Sequence, residues 1–537
     1  METNKIKSFA KEARLLLLDG VLQRLKYWGF GANGHNDQDL QSTQGGYIFR
    51  GQIYTNTTVP SKWKALKERL KSEETVNDII EEAAYTWFNR LMAIKILEAN
   101  GYLEPTLLFA EGVRTPLIVQ NAKKGQHNLK SKGDQDLLIE YLQEDKEEQA
   151  FGLLITDLCN RNKLLHDIFG RIDDYTEILL PQNILQKDGL LDLINSDVIA
   201  AEDYKEVELI GWLYQFYISD KKDEVFAGFK KNKKARAEDI PAATQIFTPK
   251  WIVKYMVENT VGKIYLDYEP TSTLKEDMKY LVQNESDQTS DAIISDITEL
   301  TLIDPASGSG HILVTGFELL FKMYREEGYT AKQAVDSILV NNLFGLDIDD
   351  RAMQLARFAV LLKAAQFDAD ILNRGMIPHV YSFPEEKHFT SEEVQVFLGH
   401  EGQQFTAELK EALQLLNQGK NIGSALKVEL SDEAQSYIKK QYTSWAEKYQ
   451  NATLDIQEES IWNRLVPFFD VLLVLSRKYT AVVANPPYMG QRSMNTVLKK
   501  FVDSHYPMTK SDLMTVFMEV IPDLAKNNAR FALINLP

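Results

Sequence analysis

Thr301-Leu302-Ile303-Asp304-Pro305-Ala306-Ser307-Gly308-Ser309-Gly310-His311-Ile312-Leu313 is the stretch on which the reading of this chain turns. An apolar run ends in an acid. A turn rich in proline, serine and glycine follows, and then a helical pattern carrying Ile312, Leu313 and Phe317. Glycines at a strand-to-helix turn let backbone approach a ligand closely, because no Cβ stands in the way. No Gly-Lys-Ser/Thr follows, so this is not a Walker phosphate loop. Taken alone, the turn is equally readable as a tight connection.

Working outward, a second unit of the same kind appears at 341–356 (NNLFGLDIDDRAMQLA), where an apolar run ends in Asp347 and a helix follows. An acid at the end of a second strand can accept hydrogen bonds from both ribose hydroxyls of a nucleoside cofactor. Helical patterns at 312–327 and 330–340 separate Asp304 from Asp347 by more than the ~20 residues of the dinucleotide fingerprint, which disfavours a nicotinamide cofactor. Short β-rich runs at 300–303, 342–348, 479–484 and 530–536 alternate with helices. That rhythm predicts an α/β fold with a parallel, doubly wound, Rossmann-like sheet. A polar loop at 282–291 and a long, charged, mainly helical insertion at about 385–475 interrupt it.

The third strand-end turn carries the chemistry. Ala481-Val482-Val483-Ala484 runs directly into Asn485-Pro486-Pro487-Tyr488. Two prolines fix the backbone and remove two donors, leaving carbonyls outward. The Asn485 and Pro486 carbonyls can together accept both hydrogens of an exocyclic amine, and Tyr488 offers a flat stacking face. Such a site suits an NH2 on a planar ring or an amide. Hydrogen bonds to the amine protons leave the nitrogen lone pair freer to attack a methyl sulfonium held ~3–3.5 Å away.

The first ~235 residues read as mostly helical. Ile6, Phe9, Ala13, Leu16 and Leu17 recur at helical spacing within 5–27, and Ile79, Ala83, Trp87, Phe88, Leu91 and Ile94 within 75–99. Gly101 stands where a C-terminal cap belongs. Residues 121–135 read as an exposed loop. We expect a helical N-terminal domain over 1–238 and an α/β domain over 239–537.

Composition sets further bounds. The 537 residues are enough for two or three domains. The formal net charge of −17 argues against a surface that binds nucleic acid everywhere, though not against a local basic patch. The best such patch is Lys230, Lys231, Lys233, Lys234 and Arg236, with a looser one at Lys123, Lys124, Lys130 and Lys132; either is also readable as a solvated loop. The single cysteine, Cys159, excludes an internal disulfide and any cysteine-built zinc site, and no HExxH occurs, so no metal is expected. No secretory signal pattern or membrane-length apolar run is present, and a reducing, cytoplasmic setting is the default.

These motifs resemble the amino-methyltransferases of DNA in which the cofactor motifs precede the catalytic one. Gln245-Ile246-Phe247-Thr248-Pro249 is similar to their segment against the methionine part of the cofactor, DPASGSG to their first motif, and GLDID to their second. NPPY is similar to their catalytic motif in its adenine-N6 form, and Lys510-Ser511-Asp512-Leu513 to the short motif opening the next helix. The stretches KIKSFAKEARLLLLDGVLQRLKYWGF and AAYTWFNRLMAIKILEANGYL resemble the methyltransferases of BREX phage-defence systems, which extends the likeness to the whole chain. The resemblance implies S-adenosyl-L-methionine held by Thr248, Pro249, Asp304, Pro305, Ala306, Gly308, Gly310, Asp347 and Ile348. It implies a catalytic set of Asn485, Pro486, Pro487 and Tyr488, with the tyrosine stacked on an adenine flipped out of double-stranded DNA. It implies site-specific methylation within a phage-defence or restriction-modification system, with partner subunits of that system. Two departures stand out. The third motif's acid has no counterpart in His379–Phe383 (HVYSF). The chain ends at Leu536-Pro537, where family members continue with two more strands and a target-recognition domain, so a C-terminally truncated domain is expected.

Other readings compete. Asn-Pro-Pro-Tyr also occurs in enzymes that methylate glutamine side chains of release factors. A largely non-catalytic, cofactor-binding subunit that senses DNA is a second alternative. A fused nuclease is a third, for which Glu144-Asp145-Lys146 is the nearest pattern.

Overall fold

The computed structural model describes residues 1–31, 33–231, 233–244, 248–282 and 292–535. The chain divides into two compact units, Met1–Tyr217 and Ile218–Pro537. The division falls some twenty residues before the expected 238/239. Segment 218–238 joins the second unit, where the Ala235 N–H donates to the Ser493 carbonyl (3.0 Å).

In the first unit, helices Thr3–Tyr27, Glu73–Ala99 and Glu208–Tyr217 pack on one another. Ile6, Phe9, Ala13 and Leu17 face inward on the first, and Ile79, Ala83, Trp87, Phe88, Leu91 and Ile94 on the second, as their spacing predicts. Gly101, at φ +73°, closes the second helix by donating to the Glu98 carbonyl. Two local features depart from the sequence reading. A three-stranded antiparallel sheet, Gln41–Thr43, Gly46–Phe49 and Gln52–Tyr54, lies within the helical unit. The expected loop at 121–135 is partly helical, ending Leu117–Lys123 and beginning Lys132–Gln143, with Leu129 buried between. Residues 124–131 between those helices are the expected loop, exposed apart from His127 and Leu129.

The second unit is built on a five-stranded parallel sheet: β1 (Leu302–Asp304), β2 (Leu343–Asp347), β3 (His379–Ser382), β4 (Tyr479–Ala484) and β5 (Ala525–Leu533), in the order β3-β2-β1-β4-β5. The strand order reverses between β1 and β4. In open α/β sheets ligands bind at the carboxyl ends of the strands beside such a reversal. The glycine-rich turn, the GLDID turn and Asn-Pro-Pro-Tyr all leave carboxyl ends, of β1, β2 and β4.

Alternation along the strands distributes the two faces. Helix α1 (Lys250–Val257) packs against α2 (His311–Glu326), and α2 packs against α3 (Asp350–Ala365). Leu302 and Leu343 meet α2 at Gly316, where an added Cβ would lie 2.4 Å from Leu302. Ile303, Phe344, Leu346 and Val482 face the other way, into one core with Val394, Phe397, Leu409, Trp445 and Trp462 of the helical insertion. The insertion therefore shares its core with the sheet. Its last helix, α4 (Ile456–Leu475), serves as the crossover helix into β4 and contacts β3. Helices α5 (Thr496–His505) and α6 (Leu513–Leu524) lead to β5. The expected polar loop at 282–291 lies, apart from Val282, outside the described residues.

Asn342 anchors the entry to β2. It is fully buried, donates through Nδ2 to the carbonyls of Ile297 (2.9 Å) and Leu300 (2.7 Å), and accepts at Oδ1 from Tyr324 (2.9 Å). Asn342→Ala removes all three bonds in an apolar setting; the Ile297 carbonyl keeps the Leu300 N–H and Tyr324 keeps Ser337 Oγ, so the Leu300 carbonyl loses most. We expect a loss of about 2–4 kcal/mol in urea unfolding, with an unchanged m-value.

Candidate active site

At the end of β1, Asp304 is 1% exposed. Its Oδ1 accepts the Ala306 N–H (3.1 Å). The turn then runs over the end of β2: Ser307 N–H donates to the Leu346 carbonyl (2.9 Å), and Gly308 N–H to Asp347 Oδ2 (2.8 Å). Gly308 has φ +51°, and a Cβ there would meet nothing within 4 Å. Its carbon thus borders open space, as a close-approach glycine requires. Gly310 has a different role. At φ +84° it starts α2, and a Cβ would stand 2.9 Å from the Ala356 backbone in α3. It is needed for helix packing.

Asp347 is spent partly on its own chain. Oδ2 holds Gly308 N–H, and Oδ1 holds Asp349 N–H (2.9 Å). Each carboxylate oxygen accepts more than one hydrogen bond, so both keep capacity for a ligand hydroxyl. Ile348 is half-buried beside it, and Asp349 caps α3 through the Arg351 N–H. Burial, reinforced by Asp347, pushes Asp304 up to about 8. Burial, with Asp349 nearby, pushes Asp347 up to about 6.

Beyond β4, Asn485 is half-buried and its Nδ2 donates to Thr248 Oγ1 (2.9 Å). That bond turns the amide so that Oδ1 points away from Thr248. The structure thereby joins a residue read as a cofactor contact to one read as a catalyst, 237 positions apart. Gln245, Ile246 and Phe247 lie outside the described residues, and Pro249 is exposed at the start of α1. Pro486 is buried and Pro487 half-buried. Tyr488 donates its hydroxyl to the Ile534 carbonyl (3.0 Å), while Ile534 N–H donates to the Ala484 carbonyl (3.2 Å), so the tyrosine is tied to the chain leaving β5. Burial raises the phenol further above its ordinary value, which keeps it a neutral donor.

Sequence reasoning matched Lys510–Leu513 to a motif without assigning it work. Asp512 Oδ1 accepts both Met489 N–H (3.2 Å) and Met514 N–H (3.0 Å), capping α6 while holding the residue after Tyr488. Leu513 N–H and Gln491 N–H complete the seam, to the carbonyls of Met489 (3.1 Å) and Ser511 (3.0 Å).

Of the basic run, Lys230, Lys231, Lys233 and Lys234 are exposed. Lys234 donates to the Arg492 carbonyl (2.6 Å), and it lines a groove together with Lys499 and Lys500 of α5. The run is thus placed beside the loop that follows Tyr488. Arg236 is not available in the same way, since its guanidinium pairs with Glu238 (2.9 Å) and Asp239 (3.1 Å). In the first unit, Lys123 pairs with Glu147. The Glu144-Asp145-Lys146 pattern falls between two helices, with Lys146 paired to Glu144, and has no strand to support a nuclease site. Among the described residues, no group of His, Cys, Asp and Glu is arranged to hold a metal ion, and no helix is long and apolar enough to cross a membrane.

Comparison with known proteins follows the same lines. Residues 341–536 match the family model of the Eco57I restriction-modification methylase. The adenine-specific methyltransferase BrxX of Escherichia coli O9:H4 (strain HS) is 35% identical over 574 aligned residues, covering 100% of this chain and 46% of its own. The adenine-specific methyltransferase PglX of Lacticaseibacillus casei (strain Zhang) is 32% identical, covering 99% of this chain and 46% of its own. The chain spans about half the length of these curated relatives. The solved type IIL restriction-modification enzyme MmeI in complex with DNA aligns over 83% of this chain and 50% of its own, at 14% identity and a TM-score of 0.32, too low to bear on the fold. The resemblance read from the sequence therefore holds along the whole chain, which is similar to the adenine-specific methyltransferases PglX and BrxX and matches the Eco57I methylase model over residues 341–536.

Proposed function

We propose that this protein transfers a methyl group from S-adenosyl-L-methionine to N6 of an adenine flipped out of double-stranded DNA, within a phage-defence system of the BREX kind. The observation that carries the reading is the juxtaposition at the sheet's reversal. Asn485, its amide set by Thr248, leaves β4 beside the glycine-bordered turn of β1.

The residues present fit the cofactor. Gly308 opens space that any other side chain would fill, Ser307 Oγ is buried without a hydrogen-bond partner among the described residues, and Asp347 retains acceptor capacity. Asp347 would hold the ribose hydroxyls, and the turn 304–310 and Thr248 the remainder. The bound cofactor supplies an electrophilic methyl on a sulfonium. The Asn485 and Pro486 carbonyls accept the amine's two hydrogens and hold its lone pair toward that methyl, and Tyr488, fixed by Ile534 and Asp512, stacks on the base. As the nitrogen gains a bond it becomes cationic, and the same two carbonyls stabilise the developing charge before a proton leaves to water. Partner subunits of a defence system belong to this reading too.

Methyl transfer offered to phage DNA and, separately, to a glutamine-containing release-factor peptide tests it. Label in adenine of DNA alone is the expected result. Label in the peptide would move the protein to the glutamine class, and label in neither, despite cofactor binding, to a sensing subunit.

Two further outcomes follow. The folded pKa values of Asp304 and Asp347 lie above the ordinary 3.8, so the folded protein holds protons that the unfolded chain has lost. Their contribution to stability is full below about pH 4 and falls as pH rises through about 6 and 8. The cofactor is cationic at its sulfonium and favours ionised carboxylates. Calorimetric titration should show affinity rising between pH 6 and 8, with proton release, and Asp304→Asn should flatten that slope. For DNA, replacing Lys230, Lys231, Lys233 and Lys234 with Ala should weaken binding about tenfold or more near 0.1 M salt and flatten its salt dependence. An unchanged slope returns the run to a solvated loop.

A further inference from the structure

The insertion returns to the sheet at residues 419–426, where Ile422, Ala425 and Leu426 join the shared core and two polar side chains reach the strand-end turns. Ser424, 4% exposed, donates its hydroxyl to the Pro305 carbonyl (2.6 Å). Lys420 donates its ammonium to the Ile348 carbonyl (3.1 Å) and to Asp350 Oδ1 (2.8 Å), with Glu385 at 3.8 Å. Between them Gly423 takes φ +61°, and a Cβ there would lie 3.0 Å from Ile348 Cγ2.

The two carbonyls are particular ones. The Pro305 carbonyl belongs to the same planar peptide as Ala306 N–H, which Asp304 holds; the Ile348 carbonyl shares its peptide with Asp349 N–H, which Asp347 holds. Each turn peptide is thus gripped at both ends, by the strand-end carboxylate at N–H and by an insertion side chain at C=O. Fixing the plane of the peptide fixes the direction of the carboxylate bonded to it. The far side of the segment is tied to the two residues that flank α5: Tyr506 donates to the Ala425 carbonyl (2.7 Å), and Asn495 Nδ2 to Asn421 Oδ1 (2.8 Å).

We propose that Lys420 and Ser424 are positioning residues of the cofactor site, supplying from the insertion the second half of a clamp that aims Asp304 and Asp347 at an adenosyl ligand. This rests on the S-adenosylmethionine reading of the two turns. The insertion then stands where the absent acid of the third motif leaves the site least defined, and the site includes residues about 75 positions beyond the last recognised cofactor motif.

Calorimetric titration of S-adenosylmethionine and S-adenosylhomocysteine, paired with thermal unfolding, tests it. Ser424→Ala and Lys420→Met should each raise the Kd about tenfold, and Lys420→Arg should recover most of the loss. Tyr506→Phe removes a hydrogen bond of the same kind from the opposite side of the segment. It should lower the melting temperature while leaving the Kd within about twofold. Wild-type affinity in Ser424→Ala and Lys420→Met, with only stability reduced, overturns the proposal. So does an equal Kd rise in Tyr506→Phe, because the segment would then act by packing alone. If Ser424→Ala fails to fold, the Lys420→Met and Lys420→Arg pair decides. No binding by the wild type overturns the cofactor reading itself, and this inference with it.

Discussion

Asn485→Ala should lower the methylation rate by at least about 10²–10³-fold while S-adenosylmethionine binds with a Kd within about threefold of wild type. The separation follows from where the side chain sits. Asn485 leaves β4 and bonds Thr248, whereas both strand-end carboxylates belong to β1 and β2. Removing the amide deletes one of two acceptors for the amine, which acts mainly as charge develops on nitrogen, and leaves the peptide clamps at Asp304 and Asp347 intact. Asn485→Asp is the sharper variant. It keeps the shape but replaces the Nδ2 donor, so the bond to Thr248 needs the threonine hydroxyl to turn and donate. Thr248→Val should lie between wild type and Asn485→Ala, because an apolar neighbour no longer sets which way the amide faces; Thr248→Ser should restore activity. Single-turnover methylation alongside calorimetric titration reads both quantities. Loss of cofactor binding in Asn485→Ala would remove the division of labour between β4 and the other two strands.

Asp347→Ala should raise the Kd for S-adenosylmethionine by about 100-fold or more. Two effects combine. The ligand loses charge-assisted hydrogen bonds, and the turn loses the acceptor for Gly308 N–H and Asp349 N–H, leaving two backbone donors without a partner. Asp347→Asn keeps one acceptor oxygen and presents an NH2 to the other donor. It should fall between, at about tenfold. The pH dependence gives an independent check, since Asp347 titrates near 6 in the folded protein and the asparagine variant should lose the lower part of the slope. An Asp347→Ala protein that binds as wild type would place the ribose elsewhere.

How much of this was legible before folding differs by element. β4 was readable to the residue, because Tyr479–Ala484 is buried on both faces and bounded by charge on one side and Asn-Pro-Pro on the other. β1 and β2 were found within a residue or two, by the acids that end them. β3 was recognised only as a candidate motif, since His379–Ser382 holds half-buried polar residues in place of an apolar run. β5 begins five residues before the expected 530 and carries mostly polar, partly exposed side chains until Phe531, so hydropathy marked only its end. The end of the expected strand, Leu536, lies outside the described residues.

The sequence by itself determined the chemistry available at three strand ends: an acid before a glycine turn, an acid after a second strand, and an amide locked by two prolines. These are short-range facts, written in consecutive residues whose backbone preferences act locally. Only the tertiary structure decided which distant residues serve them. Thr248 sets the Asn485 amide, Asp512 holds the loop behind Tyr488, Lys234 meets Lys499 and Lys500 in one groove, and the insertion reaches back to hold the Pro305 and Ile348 carbonyls. Each partnership spans tens to hundreds of positions, and its members are ordinary threonine, serine, lysine and aspartate. A lone side chain of that kind satisfies a hydrogen bond almost anywhere on a surface; it acquires a particular role when a parallel sheet brings the ends of non-adjacent strands side by side and a shared apolar core holds them there.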